Sequence, residues 1–137
     1  MLSGFAVRMR RNTHLGSLIV ANQKDYYEVI DGQQRLTALY LLLNSLGIET
    51  ENALSFACRE KSNYTLKNIK EVVDSQKVSL LDEEKLEGTL LEGIHIIERK
   101  LLSPGVCKEK IIENLHRVKL YRIQVPERTD LNRYFEI

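Results

Sequence analysis

The sequence predicts an α+β domain: a small mixed sheet, a buried helix directly after one of its turns, and a helical block. Three observations carry the prediction. Two short apolar, β-branched runs flank a polar turn near the start of the chain. A leucine-rich run at helical spacing follows the second of them at once. Most of what remains is amphipathic at a helical period, until one more apolar run close to the end.

Leu15 to Ala21 (LGSLIVA) reads as a strand, Asn22 to Asp25 (NQKD) as a polar turn, and Tyr26 to Ile30 (YYEVI) as the second strand of a hairpin. Leu36, Leu39, Leu43 and Leu46 then fall at helical spacing, with Ala38, Tyr40, Leu41 and Leu42 filling the other faces. A helix apolar nearly all round is expected to be buried, and Gly47 is expected to stop it. Leu54 to Arg59 alternates and reads as a strand; Tyr64 to Asp74 reads as a short helix. Leu81 to Leu102 reads as one long amphipathic helix, with Leu86, Leu90, Ile94, Ile97 and Leu101 on its stripe and Gly88 and Gly93 weakening it. Lys108 to Leu115 continues as a helix. Val118 to Val125 is a strand with apolar residues on both faces, hence expected inside the sheet. Pro126 is expected to end it, and Thr129-Asp130 to start a helix running to Ile137.

Composition excludes several classes. The chain has 137 residues, 43% of them hydrophobic, which suits one folded core and argues against disorder. The net charge of +1 carries no signal for nucleic acid or membrane, although residues 1–24 hold four bases and no acid and residues 74–98 hold seven acids against two bases. The longest apolar run, Ala38 to Leu43, is far short of the roughly 20 residues a bilayer span needs. Cys58 and Cys107 stand apart from each other and from His14, His95 and His116, so no zinc spacing exists. Isolated cysteines suit a reducing, cytoplasmic setting, where they are expected as small buried side chains.

One segment carries chemistry. Asp31-Gly32-Gln33-Gln34-Arg35 lies between the second strand and the leucine-rich helix. The first N–H groups of a helix lack internal partners and sit at its positive end, which makes an anion site. Gly32 admits a ligand close to the backbone, Arg35 forks onto a phosphate, and Gln33 and Gln34 offer amides to phosphate oxygens or a water. A second reading stands beside this one: Asp31 caps the helix, with Gln34 completing a capping box. A polyphosphate on this turn would face Asp31 with like charge unless a divalent ion lies between them. The phosphate reading therefore expects Mg²⁺ on Asp31, and the capping reading does not.

Val29 to Leu39 (VIDGQQRLTAL), preceded by His14 to Val20 (HLGSLIV) and followed by Thr129 to Ile137 (TDLNRYFEI), resembles the N-terminal domain of GmrSD-type restriction endonucleases, in the ParB/sulfiredoxin-like superfamily. The resemblance implies a ParB-like fold and a nucleoside-triphosphate-hydrolysing domain of a modification-dependent DNA restriction system, with the nuclease supplied by another domain or subunit. It implies Asp31, Gln33, Gln34 and Arg35 as catalytic residues, Gly32 and Arg35 as phosphate-binding, and His14 and Ser17 as secondary positions. The family's upstream Ile-Pro-x-Tyr-Gln-Arg-like segment and its Asn-x-Arg-Gly continuation are not in the sequence, so residues 1–137 are expected to form a single, partial domain. The alternative is a module that binds DNA or nucleotide without turnover. Sulfiredoxin itself is disfavoured, since its reactive cysteine falls in the turn that holds Gln33 and Gln34 here.

Other side chains are expected to do less. Arg8, Arg10 and Arg11 read as a solvated terminus rather than a DNA contact. Tyr26, Tyr27 and Tyr40 read as core residues with satisfied hydroxyls rather than base-stacking groups. His95 and His116 read as packed or exposed. Arg122 and Gln124 share a strand face and either line a cleft or pair with acids at a sheet margin.

Overall fold

The computed structural model describes residues 13–74 and 76–125, with side chains from residue 16 onward. Strands β1 (Thr13–Asn22) and β2 (Tyr27–Asp31) form the expected hairpin. Helix α1 (Gln33–Ser45) follows after a single residue. Then come α2 (Glu60–Lys67), α3 (Ile69–Val72), two 3₁₀ turns, α4 (Gly88–Leu101), α5 (Lys108–Leu115) and β3 (Val118–Val125). The sheet order is β2-β1-β3, with β1 antiparallel to β2 and parallel to β3. Parallel strands need a crossover, and here it comprises every helix among the described residues.

Two irregularities interrupt the pairing of β1 with its neighbours. Ile19 pairs with Asp31 and Val20 with Val29, which leaves Ile30 as an extra residue on β2. His14 pairs with Lys119 and Gly16 with Leu120, which leaves Leu15 extra on β1. Bulges of this kind re-aim side chains, and these two bracket Ser17 and Leu18.

The main core is helical. Tyr40 and Leu41 of α1, Leu66 of α2, Ile69 and Val72 of α3, and Leu86, Leu90 and Ile94 on or just before α4 form one buried cluster. Leu66, Ile69 and Ile94 are almost wholly enclosed, each worth roughly 1.5–3 kcal/mol. Leu101 and Ile111 make a smaller cluster where α4 meets α5. At the end of α1, Ile48 N–H bonds Leu43 O and Gly47 N–H bonds Asn44 O, so the helix stops where the glycine predicts.

Several expectations are corrected. Helix α1 is half-buried rather than enclosed: Leu36, Leu39, Leu42 and Leu43 keep partial exposure and Ala38 is exposed. Residues 54–59 are not a strand, because the Asn63 side chain occupies both main-chain groups of Phe56 that a ladder would use (2.7 and 2.5 Å). The segment read as one helix from Tyr64 is two, 60–67 and 69–72, broken at Asn68. The helix expected from Leu81 starts at Gly88. Asp82 caps a separate 3₁₀ turn through Glu84 N–H, and the Glu87 carboxylate accepts from Leu90 N–H (2.8 Å) as the true N-cap.

Among the described residues β3 is an edge strand, with Tyr121 and Ile123 about half exposed; its two-faced apolar pattern expresses strand propensity, not enclosure. Cys58 and Cys107 are free and exposed, one in a turn at positive φ and the other opening α5. Tyr40 is buried, but its hydroxyl has no partner among the described residues, and Tyr26 and Tyr27 are exposed. Arg122 pairs with no acid among the described residues; its guanidinium lies over the Tyr27 ring at 4.8 Å. His95 and His116 are exposed. The basic cluster at Arg8, Arg10 and Arg11, Pro126 and the helix expected from Thr129 lie outside the described residues. No helix among those described is long and apolar enough to cross a membrane.

Candidate functional site

The strand-to-helix turn after β2 is built by Gly32. It sits at φ +92°, a left-handed conformation that glycine adopts without penalty, and it serves as the N-cap of α1. A side chain there would meet Leu18 Cδ2 at 2.6 Å and Ser17 O at 3.0 Å, so the turn lies directly against β1. No side chain caps the helix. This overturns the capping reading of Asp31 and Gln34: Asp31 is the last residue of β2, paired with Ile19, and its position before Gly32 takes it out of the cap.

The main-chain N–H groups of Gln33, Gln34 and Arg35 consequently find no acceptor among the described residues, and the first intrahelical bond runs from Leu36 N–H to Gly32 O. Three donors without an acceptor among the described residues thus lie at the positive end of a 13-residue helix.

Arg35 stands at the third position of α1. Helical side chains lean toward the N-terminus, and this one reaches back to β1, where Nη1 donates to Ser17 O at 2.8 Å. Its guanidinium lies on Gly16. A Cβ at that glycine would fall 2.8 Å from Arg35 Cζ and 2.9 Å from Nη1. The ion pairs among the described residues are Lys70–Glu49 and Lys85–Asp82, so no carboxylate there neutralises Arg35. The charge is held in place by a carbonyl and has no acidic partner among the described residues, with donors to spare.

The two glutamines differ. Gln33 Nε2 donates to Val29 O at 3.0 Å, which ties its amide back to β2 next to the bulge. Gln34 is exposed and its amide makes no hydrogen bond among the described residues. Asp31 is exposed, with its carboxylate unpaired among those residues. Ser17 contributes its carbonyl rather than its hydroxyl. His14 holds the β1–β3 register opposite Lys119, and its side chain lies outside the described residues.

All of the sequence-predicted positions thus fall on β1, on β2, at the Gly32 cap or in the first turn of α1, and Arg35 physically joins the HLGS and DGQQR segments. Gly16 was missed as a site residue. Its signal was a glycine inside an otherwise β-branched strand, the mark of a bulge or a close approach. Among the described residues no three His, Cys, Asp or Glu side chains gather as a metal cage. A lone exposed carboxylate fits Mg²⁺, which is commonly held by one or two carboxylates plus substrate phosphates and water.

The profile of the GmrSD restriction endonuclease N-terminal domain matches residues 3–137, nearly the whole chain. No curated protein and no solved structure matches it.

Proposed function

The chain belongs to the GmrSD restriction endonuclease N-terminal domain family, and from that premise we propose that its DGQQR turn binds and hydrolyses a nucleoside triphosphate in the service of restricting modified DNA. The reading includes a ParB-like fold and a nuclease supplied by another domain or subunit. The observation that supports it most is the Arg35 guanidinium, anchored on Ser17 O without an acidic partner among the described residues, beside three open helix N–H groups.

Phosphoryl transfer asks a protein mainly for positioning and charge stabilisation. The N–H groups of Gln33, Gln34 and Arg35 bind phosphate oxygens, and Arg35 adds its remaining donors as charge grows on the transferred group. Gln34, with its amide unengaged, orients the attacking water; Gln33, tied to Val29 O, holds the turn in shape. Asp31 would hold Mg²⁺, which supplies charge neutralisation between that carboxylate and the phosphates.

The test is calorimetric titration of ATP, GTP, CTP and UTP with and without Mg²⁺, alongside a phosphate-release assay. Binding is expected to require Mg²⁺ and to weaken at least about tenfold in Arg35→Ala, the loss of one charge-assisted contact. Unchanged affinity in that variant refutes the assignment. Tight Mg²⁺-dependent binding without phosphate release would leave a nucleotide-sensing module in place of an enzyme.

A further inference from the structure

A groove of about 590 Å³ opens next to the phosphate turn, between β2 and the irregular 53–59 segment. It reaches α1 at Gln33, whose main-chain N–H belongs to the phosphate turn. Tyr26 and Tyr27 stand exposed on one side. On the other, the Arg59 guanidinium lies 5.1 Å from the centre of the Phe56 ring. That platform is pinned, since Asn63 grips both the N–H and the C=O of Phe56. Along the same wall the main-chain groups of Leu54, Ser55 and Ala57 make no hydrogen bond among the described residues.

Such a site offers aromatic faces, a stacked guanidinium and a row of open amide and carbonyl groups. A flat heteroaromatic ring with a hydrogen-bonding edge answers all three. We propose that this groove takes the nucleobase of the nucleoside triphosphate, stacked against the Phe56–Arg59 pair with its edge read by the main chain of residues 54–57. The inference rests on the phosphate reading of the DGQQR turn and extends it: one ligand spans both, hinged at Gln33. It assigns roles to Phe56 and Arg59, which no part of the DGQQR chemistry uses.

The experiment compares Mg²⁺ complexes of the four nucleoside triphosphates with Mg²⁺ tripolyphosphate, which has the phosphates and no base. At least one nucleotide is expected to bind about tenfold or more tighter than tripolyphosphate. Phe56→Leu, which keeps apolar bulk and removes the ring face, and Arg59→Ala, at an exposed position, should each erase most of that advantage and leave tripolyphosphate affinity unchanged. Arg35→Ala should weaken both ligands. If tripolyphosphate binds as tightly as every nucleotide and loses affinity only in Arg35→Ala, the groove assignment falls and the phosphate turn stands. If nucleotide binding survives Arg35→Ala and is lost in Phe56→Leu, the groove stands and the phosphate turn falls. If neither ligand binds, both fall.

Discussion

Replacing Gly16 with alanine puts a methyl group where the Arg35 guanidinium lies. The added Cβ would sit 2.8 Å from Cζ, 2.9 Å from Nη1 and 3.2 Å from Nη2, on a backbone at φ +122°. Two costs add. The backbone conformation is nearly exclusive to glycine and carries a penalty of order 1–3 kcal/mol for any other residue. The guanidinium must also swing off β1, which breaks its bond to Ser17 O, a charged contact worth about 1.5–3 kcal/mol if fully lost. Arg35 is exposed and rebonds to water, so the lower end of the second range applies. Gly16→Ala is therefore expected to lose about 3 kcal/mol of stability, a fall in Tm on the order of 10 °C. Urea unfolding followed by circular dichroism measures it, with the midpoint shifting and the slope unchanged. The double variant with Arg35→Ala separates the two costs. With no guanidinium to displace, Gly16→Ala should cost only the backbone part, giving a coupling of about 1 kcal/mol or more. A Gly16→Ala protein within about 0.5 kcal/mol of wild type, or a cycle that closes with zero coupling, would refute the claim that Arg35 is seated on this glycine.

Three further outcomes are expected. Asn63→Ala removes both anchors of Phe56 and should cost about 2 kcal/mol in denaturant unfolding, together with a loss of nucleotide affinity as the groove wall loosens. Glu87→Ala takes the N-cap from α4 and should cost about 1 kcal/mol, with Glu87→Asp restoring most of it as the better capping residue. The exposed Glu49–Lys70 pair loses its contribution at both pH extremes. The hydrogen bond from Lys70 holds the Glu49 carboxyl below its ordinary value of 4.5, so its stabilisation is present above that value and is lost as pH falls through the lower folded one. The same hydrogen bond holds the Lys70 ammonium above its ordinary value, so the contribution is lost again as pH rises through the raised folded one. The Tm gap between wild type and Glu49→Gln should close in acid and shrink in high salt.

Much of this was legible locally. The hairpin, the leucine-rich helix and its stop at Gly47 follow from periodicity and turn residues over a few positions, with the hairpin turn at residues 23–26 one position later than expected. So did the placement of DGQQR at a strand-to-helix junction. Local reading failed where a distant side chain competed for the backbone or a cap intervened. Residues 54–59 alternate like a strand, yet Asn63 takes the hydrogen bonds of Phe56. The apolar stripe from Leu86 to Leu101 is real, yet Glu87 starts the helix inside it. Asp31 and Gln34 have capping-box spacing, yet the turn gives the cap to Gly32 because its left-handed backbone brings the chain round against Leu18.

The amino-acid order by itself brought a charge, two amides and an acid together at the mouth of a helix, a few bonds apart along the chain. Folding in three dimensions decided how they are held. The seat of Arg35 on Gly16, 19 positions back, exists because β1 and β2 pair in one register and Gly32 turns α1 onto β1. The groove exists because the 53–59 segment comes to lie opposite β2. Propensity acts over one or two turns of chain, whereas such encounters are chosen by the burial of Leu66, Ile69 and Ile94 against α1, a term no short window of sequence contains.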